Sequence, residues 1–198
     1  MKSHVSAPLV VVMGVTGCGK STVGQLLSDR LGVTFIEGDA LHPPANVERM
    51  ARGVALTDDD RREWLQALAQ RIADVGDVGD VGDVGDVGEA QHPQGVVVSC
   101  SALKRAYREV LRAASPNLAF VYLHGSQSVI AGRLAARVGH YMPASLLPSQ
   151  FQTLEVPAPD ELALTLDVSL PPHTLADQAA AWVQSQPTRL DVPPTLST

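Results

Sequence analysis

"GVTGCGKS", Gly14 to Ser21, packs three glycines, a lysine and a hydroxyl into eight positions. It matches the pattern G-x-x-x-x-G-K-[ST] in full. Before it lies an apolar run, Leu9–Met13, that reads as a buried strand. After it comes an amphipathic run, Lys20–Leu31, with Val23, Leu26, Leu27 and Leu31 on one side of a helix. Strand, glycine loop, helix is the context in which this pattern cradles a polyphosphate. Gly14, Gly17 and Gly19 permit backbone conformations that a side chain would block. The loop amides can then point inward, and the helix N-terminus adds its partial positive charge. Lys20 has the reach for the β- and γ-phosphates, and the Ser21 hydroxyl suits Mg²⁺. The expected ATP-binding positions are Gly14, Val15, Thr16, Gly17, Cys18, Gly19, Lys20, Ser21 and Thr22. Cys18 is there as a small residue at a variable position of the loop.

Working outward, short apolar runs alternate with helical patterns. "VTFIEGD" (33–39) reads as a second strand, "GVVVS" (95–99) as a third, "LAFVYLH" (118–124) as a fourth and "LALTLDVSL" (162–170) as a fifth. "TDDDRREWLQALAQRIAD" (57–74) reads as a helix with acids in its first turn and an apolar stripe of Trp64, Leu65, Leu68 and Ile72. "ALKRAYREVLRAA" (102–114) and "SVIAGRLAARV" (128–138) read as two more. "TLADQAAAWVQ" (174–184) reads as a last helix, with Thr174 and Asp177 spaced as a capping box. This alternation predicts an α/β, three-layer fold with a five-stranded parallel sheet. The expected organisation is one domain over 1–186, with a frayed Pro- and Thr-rich tail at 187–198.

The 198 residues carry 21 acids and 15 bases, a formal charge of −6. Six of those acids, Asp74, Asp77, Asp80, Asp83, Asp86 and Glu89, lie in one stretch without a base, so the rest of the chain is balanced. No basic run appears, which argues against a nucleic-acid partner. No apolar run is long enough to span a bilayer, which argues against a membrane partner. Two cysteines make no disulfide framework and suit a reducing, cytoplasmic setting.

A phosphate loop alone does not separate a kinase from a switch. The guanine-reading N-K-x-D of a GTPase is absent. Gly38-Asp39 ends the second strand, read as an inner strand beside the loop, so Asp39 should face the γ-phosphate from the carboxyl edge of the sheet. There it can orient an acceptor hydroxyl, take its proton late, or hold Mg²⁺ through water. The alternative is a cap on the following turn. The helical segment after Asp39 offers His42, Arg49 and Arg52, and Ser101 and Lys104 follow the third strand. Cations with hydroxyls and a histidine suit an anionic polyol. A nucleotide-binding regulatory protein, the rival reading, would bind ATP without turning over a sugar acid, and these residues argue against it.

Three segments carry a family resemblance: "GDALHPPANVERMARGVALTDDDRREWL", "VVSCSALKRAYREVLR" and "RLAARVGHYMPASLLPSQFQTLE". With the phosphate loop they resemble gluconokinase of the small P-loop type over nearly all of Leu9 to Val168. The resemblance implies a P-loop, nucleoside-kinase-like fold with a small lid, about 138–150, and a substrate-binding helical segment. It implies ATP- and Mg²⁺-dependent phosphorylation of D-gluconate at its 6-hydroxyl, in a homodimer. It also implies that Arg133 packs on adenine and that Arg137 reaches the phosphates as a catalytic residue. Arginine suits both tasks, because its plane stacks and its fork binds phosphate oxygens.

One stretch departs from that resemblance. Asp74–Gly88 is five copies of Asp-Val-Gly. Glycine at every third position weakens a helix, and period three puts successive valines on opposite faces of a strand. The repeat, counted as 74–89 with Glu89, is expected to be a flexible, solvated insertion. Deleting Asp77–Gly88, which removes four of the uncompensated acids, should leave catalysis intact, because loop length costs little closure entropy. Steady-state kinetics of the deletion variant check this. A folded variant without kinase activity would contradict it.

Overall fold

The computed structural model describes residues 7–78, 95–136 and 144–186. Its sheet has five parallel strands: β1 (Leu9–Met13), β2 (Thr34–Glu37), β3 (Val96–Ser99), β4 (Ala119–His124) and β5 (Ala163–Asp167). They lie in the order β2-β3-β1-β4-β5. β1, β3 and most of β4 are buried on both faces, which is why they read as continuous apolar runs.

Alternation along β1 sends its side chains to two layers. Val10 and Val12 meet Val23 and Leu27 of α1 (Lys20–Leu31), Ile130 and Leu134 of α5 (Gln127–Ala135), and Leu175 and Ala179 of α7 (Pro172–Ser185). Leu9, Val11 and Met13 meet Trp64, Leu68 and Ile72 of α3 (Asp58–Val78), with Tyr107 and Leu111 of α4 (Arg105–Arg112). The three layers and five parallel strands are as expected. A 3-10 turn (Gly38–Leu41) and α2 (Pro44–Ala51) follow β2. A second 3-10 turn (Ala144–Leu146) and α6 (Leu147–Thr153) precede β5.

Several sequence expectations need correction. β2 is an edge strand, because β3 inserts between it and β1. Asp39 therefore ends an outer strand, one strand away from the loop. α3 runs on to Val78, so Asp74–Val78 of the repeat are helical. Gly76 is accommodated there, with Leu9 Cδ1 3.5 Å from where a Cβ would be. α4 begins at Arg105, not Ala102, since Ala102 has φ +43° and breaks the helical course. α7 begins at Pro172 behind Pro171, a start suited to proline, and no side chain caps it. Asp177 instead pairs with Arg30 of α1 at 2.5 Å. The capping box lies at the start of α3, where Thr57 Oγ accepts from Asp60 N at 3.2 Å and Asp60 Oδ2 accepts from Thr57 N at 2.8 Å. Residues 79–89 of the repeat, Arg137, positions 138–143 of the expected lid and the tail lie outside the described residues.

The β2 and β3 ends are joined more tightly than a ladder alone requires. A Cβ on Gly38 would lie 2.0 Å from the Ser99 carbonyl oxygen. The Gly38 amide donates to Ser99 Oγ at 3.2 Å, and its carbonyl accepts from Trp64 Nε1 at 2.7 Å. Gly38→Ala must push the two strand ends apart, and such overpacking should cost about 1–3 kcal/mol. Denaturant unfolding checks this. Wild-type stability in the variant would contradict the close approach.

Candidate active site

The phosphate loop joins β1 to α1. Gly17 has φ +79°, and a Cβ there would meet Leu134 Cγ of α5 at 2.5 Å. Glycine thus serves both the left-handed backbone and the seating of α5 on the loop. Cys18 is buried beneath the loop, where burial raises its thiol pKa and keeps it protonated. That fits a small packed residue and not a nucleophile. Lys20 Nζ donates to Val15 O at 3.2 Å, and Thr16 N donates to Gln150 Oε1 at 2.7 Å. A phosphate oxygen taking that amide must therefore compete with a side chain of α6. Ser21 and Thr22 are exposed in the first turn of α1.

Beside the loop lies a cavity of about 190 Å³. It brings together Lys20, Asp39, His42, Ser101 and Lys104, all expected from the sequence. The Asp39 carboxylate, half-buried, has no hydrogen-bond or ion-pair partner among the described residues. His42 is only 8% exposed and stacks on Trp64, ring centroids 4.0 Å apart and planes 14° from parallel. Its Nδ1 is buried without a partner among the described residues. Burial lowers the His42 pKa to about 4; the Asp39 charge opposes this and the Arg61 charge adds to it. His42 is therefore a neutral ring at pH 7, able to donate from one nitrogen and accept at the other.

Lys104 is less available than the sequence suggests. Its Nζ donates to both Asp58 carboxylate oxygens at 2.8 Å, and Tyr107 Oη donates to Asp58 Oδ1 at 2.5 Å. These two bonds, Lys104 first, hold Asp58 below its usual range. The cavity also holds a cation that the sequence reading passed over. Arg61 lines it and, among the described residues, has no carboxylate in salt-bridge range and a buried Nε without a partner. Its guanidinium lies 5.8 Å from the Tyr107 ring centroid. Arg61 stands one turn before Trp64 and continues the inward stripe of α3. That position was its sequence signal.

Two expected residues lie elsewhere. Arg49 is outside the cavity lining, on α2, 3.5 Å from Asp60. Arg133, exposed on α5, donates to the Val168 carbonyl just past β5, and its charge reaches Cys18 under the loop. Asp39, His42, Ser101, Lys104 and Arg61 thus face the loop lysine across one cavity, while Arg133 stands on the β5 side of the loop.

Similar proteins share this architecture. The family model for shikimate kinase matches residues 16–78. Gluconokinase of Gluconobacter oxydans (strain 621H) is 44% identical, over 89% of this chain and 92% of its own length. A solved gluconokinase from Sinorhizobium meliloti 1021 is 45% identical, with TM-score 0.74 over 90% of this chain and 92% of its own. An unliganded sugar kinase from Janibacter sp. is 43% identical, with TM-score 0.80 over 89% and 94%.

The depressed His42 pKa has a measurable consequence. From about pH 6.5 down to about 4, the unfolded chain binds a proton at His42 that the folded chain excludes. Stability must fall as pH drops through that window and is unaffected by His42 above it. Asp58, Asp60 and Glu161, held below their usual range, stay ionised at pH 5. Between pH 7 and pH 5 the wild type should therefore lose more unfolding free energy than His42→Gln. Equal losses would show that the ring is not buried in neutral form.

Proposed function

This chain belongs to the gluconokinase family, and we propose that it transfers the γ-phosphoryl group of ATP to the 6-hydroxyl of D-gluconate, giving 6-phospho-D-gluconate and ADP. One observation carries the assignment of roles. Lys20, the Asp39 carboxylate and Arg61 share one cavity, and among the described residues neither Asp39 nor Arg61 has an ion-pair partner. Phosphoryl transfer needs charge at the phosphate, an acid beside the acceptor hydroxyl, and an anchor for the rest of the substrate.

In this reading the loop amides and Lys20 bind the phosphates, with Arg137 joining them. Lys20 balances charge that develops on the γ-oxygens. Asp39 orients the acceptor hydroxyl and takes its proton late in the step. Arg61 faces the gluconate carboxylate, while neutral His42, Ser101 and Lys104 read its hydroxyls and Arg49 supports that end. Arg133 packs on the adenine. Among the described residues, no cluster of His, Cys, Asp or Glu forms a metal cage. The oxygens of Ser21 and Asp39 suit Mg²⁺ held mainly by nucleotide phosphates, where it would neutralise phosphate charge. A homodimer at work in the cytoplasm completes the reading. Family resemblance supports it, along with the two free cysteines. No helix among the described residues is long and apolar enough to cross a membrane.

ATP consumption with gluconate, and none with shikimate, tests the substrate. Two variants test the roles. Lys20→Ala should abolish turnover. Asp39→Asn should lower kcat by about 10²–10⁴-fold and leave nucleotide affinity nearly unchanged. A large loss of Mg²⁺-dependent ATP affinity in Asp39→Asn would make Asp39 a metal holder instead of a base. An unchanged kcat would remove it from the mechanism.

A further inference from the structure

Arg108 of α4 is charged, yet its side chain is 1% exposed, and that of its partner Glu161 is 0% exposed. Its Nε and Nη2 donate to the two Glu161 oxygens at 2.6 and 2.8 Å. The remaining nitrogen, Nη1, donates to three carbonyls: Ala102 at 3.1 Å, Leu103 at 3.4 Å and Glu155 at 3.0 Å. A buried ion pair is weak evidence of a stabilising role, since an apolar pair of similar volume often does as well. An apolar pair cannot donate to carbonyls, so the loop contact is the distinctive feature.

The carbonyls it gathers belong to two walls of the cavity. Ala102 and Leu103 lie between Ser101 and Lys104, which both line it. Glu155 follows α6, which contributes Ser149, Gln150 and Thr153. Leu103 O also accepts from Glu155 N at 2.8 Å, so the two walls are directly bonded where Arg108 grips them. Ala102, fully buried, is the single non-glycine residue with positive φ among the described residues, at +43°. L-residues avoid this left-handed conformation, and it persists where surrounding bonds over-determine it. It also turns the chain so that Ser101 O can accept from Gly14 N of the phosphate loop at 3.3 Å.

We propose that Arg108 is a positioning residue for the gluconate side of the cavity. By bonding the carbonyls of Ala102, Leu103 and Glu155, it holds Ala102 left-handed and sets Ser101 and Lys104 against the base of α6. Glu161 orients the guanidinium for that task. The inference rests on the gluconate-kinase reading above for its substrate, and on the carbonyl geometry for its mechanism.

The test starts from Arg108→Lys, whose single ammonium cannot serve both the carboxylate and the three carbonyls. kcat/KM for gluconate should fall roughly 10- to 100-fold, with KM for ATP changed by less than about 2-fold. Hydrogen exchange in the 100–104 segment should quicken. Adding Ala102→Gly should restore part of the gluconate kcat/KM, because glycine takes positive φ without the penalty. If Arg108→Lys does not fold, Arg108→Met with Glu161→Leu removes the buried charges and faces the same three measurements. Unchanged gluconate kinetics, equal losses for gluconate and ATP, or no rescue by Ala102→Gly would each overturn the proposal. The exchange measurement needs no substrate. A wild type inert toward gluconate would therefore refute the functional reading, while unaltered exchange in the variant would refute the clamp.

Discussion

The contact between Gly38 and Ser99 is the constraint on which the site depends. Ser99 sits in register with Glu37 of β2 on one side and Val12 of β1 on the other. Its hydroxyl accepts from the Gly38 amide and donates to the Glu37 carboxylate. Its carbonyl oxygen fills the space where a side chain at Gly38 would begin. Asp39 is the next residue, so its distance from Lys20 is set by the ends of three adjacent strands. Trp64 closes the arrangement by donating to Gly38 O while its ring supports His42. One glycine thus ties the carboxylate, the neutral histidine and α3 to the sheet edge nearest the phosphate loop.

From that anchor the cavity divides electrostatically. At one end, loop amides and Lys20 present positive potential to phosphate. At the other stand Arg61 and a histidine kept neutral by burial. Between them Lys104 is neutralised by Asp58, whose position Tyr107 shares. Lys104 therefore adds no uncompensated positive charge, and away from Lys20 a polyol acid would meet Arg61, which has no carboxylate partner among the described residues, and several hydrogen-bonding groups. That asymmetry favours a substrate charged at one end and reactive at the other.

Much of this was legible in the sequence, for physical reasons. The glycine loop is local chemistry, and β1 and α1 around it have one period each, so their bounds emerged unchanged. Trp64, Leu65, Leu68 and Ile72 are the buried stripe of α3, as their spacing implied. Strand order was not legible. Nothing in β2 says that a strand sixty residues later will separate it from β1. The start of α4 was hidden because Ala102, Leu103 and Lys104 are good helix formers, and only a buried arginine further along reveals why they leave the helix. Arg61 was hidden in another way. Among six consecutive charged residues, Asp58 to Glu63, it looked like surface, although its place one turn before Trp64 put it on the inward stripe. Thr174 and Asp177 misled by mimicking a cap at a helix that proline had already started.

The central claim is that the Asp39–Lys20 cavity delivers a phosphoryl group to the terminal hydroxyl of a polyol acid anchored at its carboxylate end. Proton-coupled phosphorus NMR of the product from gluconate, ATP and Mg²⁺ tests it most directly. An ester at the primary 6-hydroxyl has two protons on the adjacent carbon. The account therefore predicts a new phosphate-ester resonance split into a triplet, appearing with ADP. A doublet would place the phosphate on a secondary hydroxyl and reverse the proposed orientation. Release of inorganic phosphate alone, or ATP left intact, would contradict the account altogether.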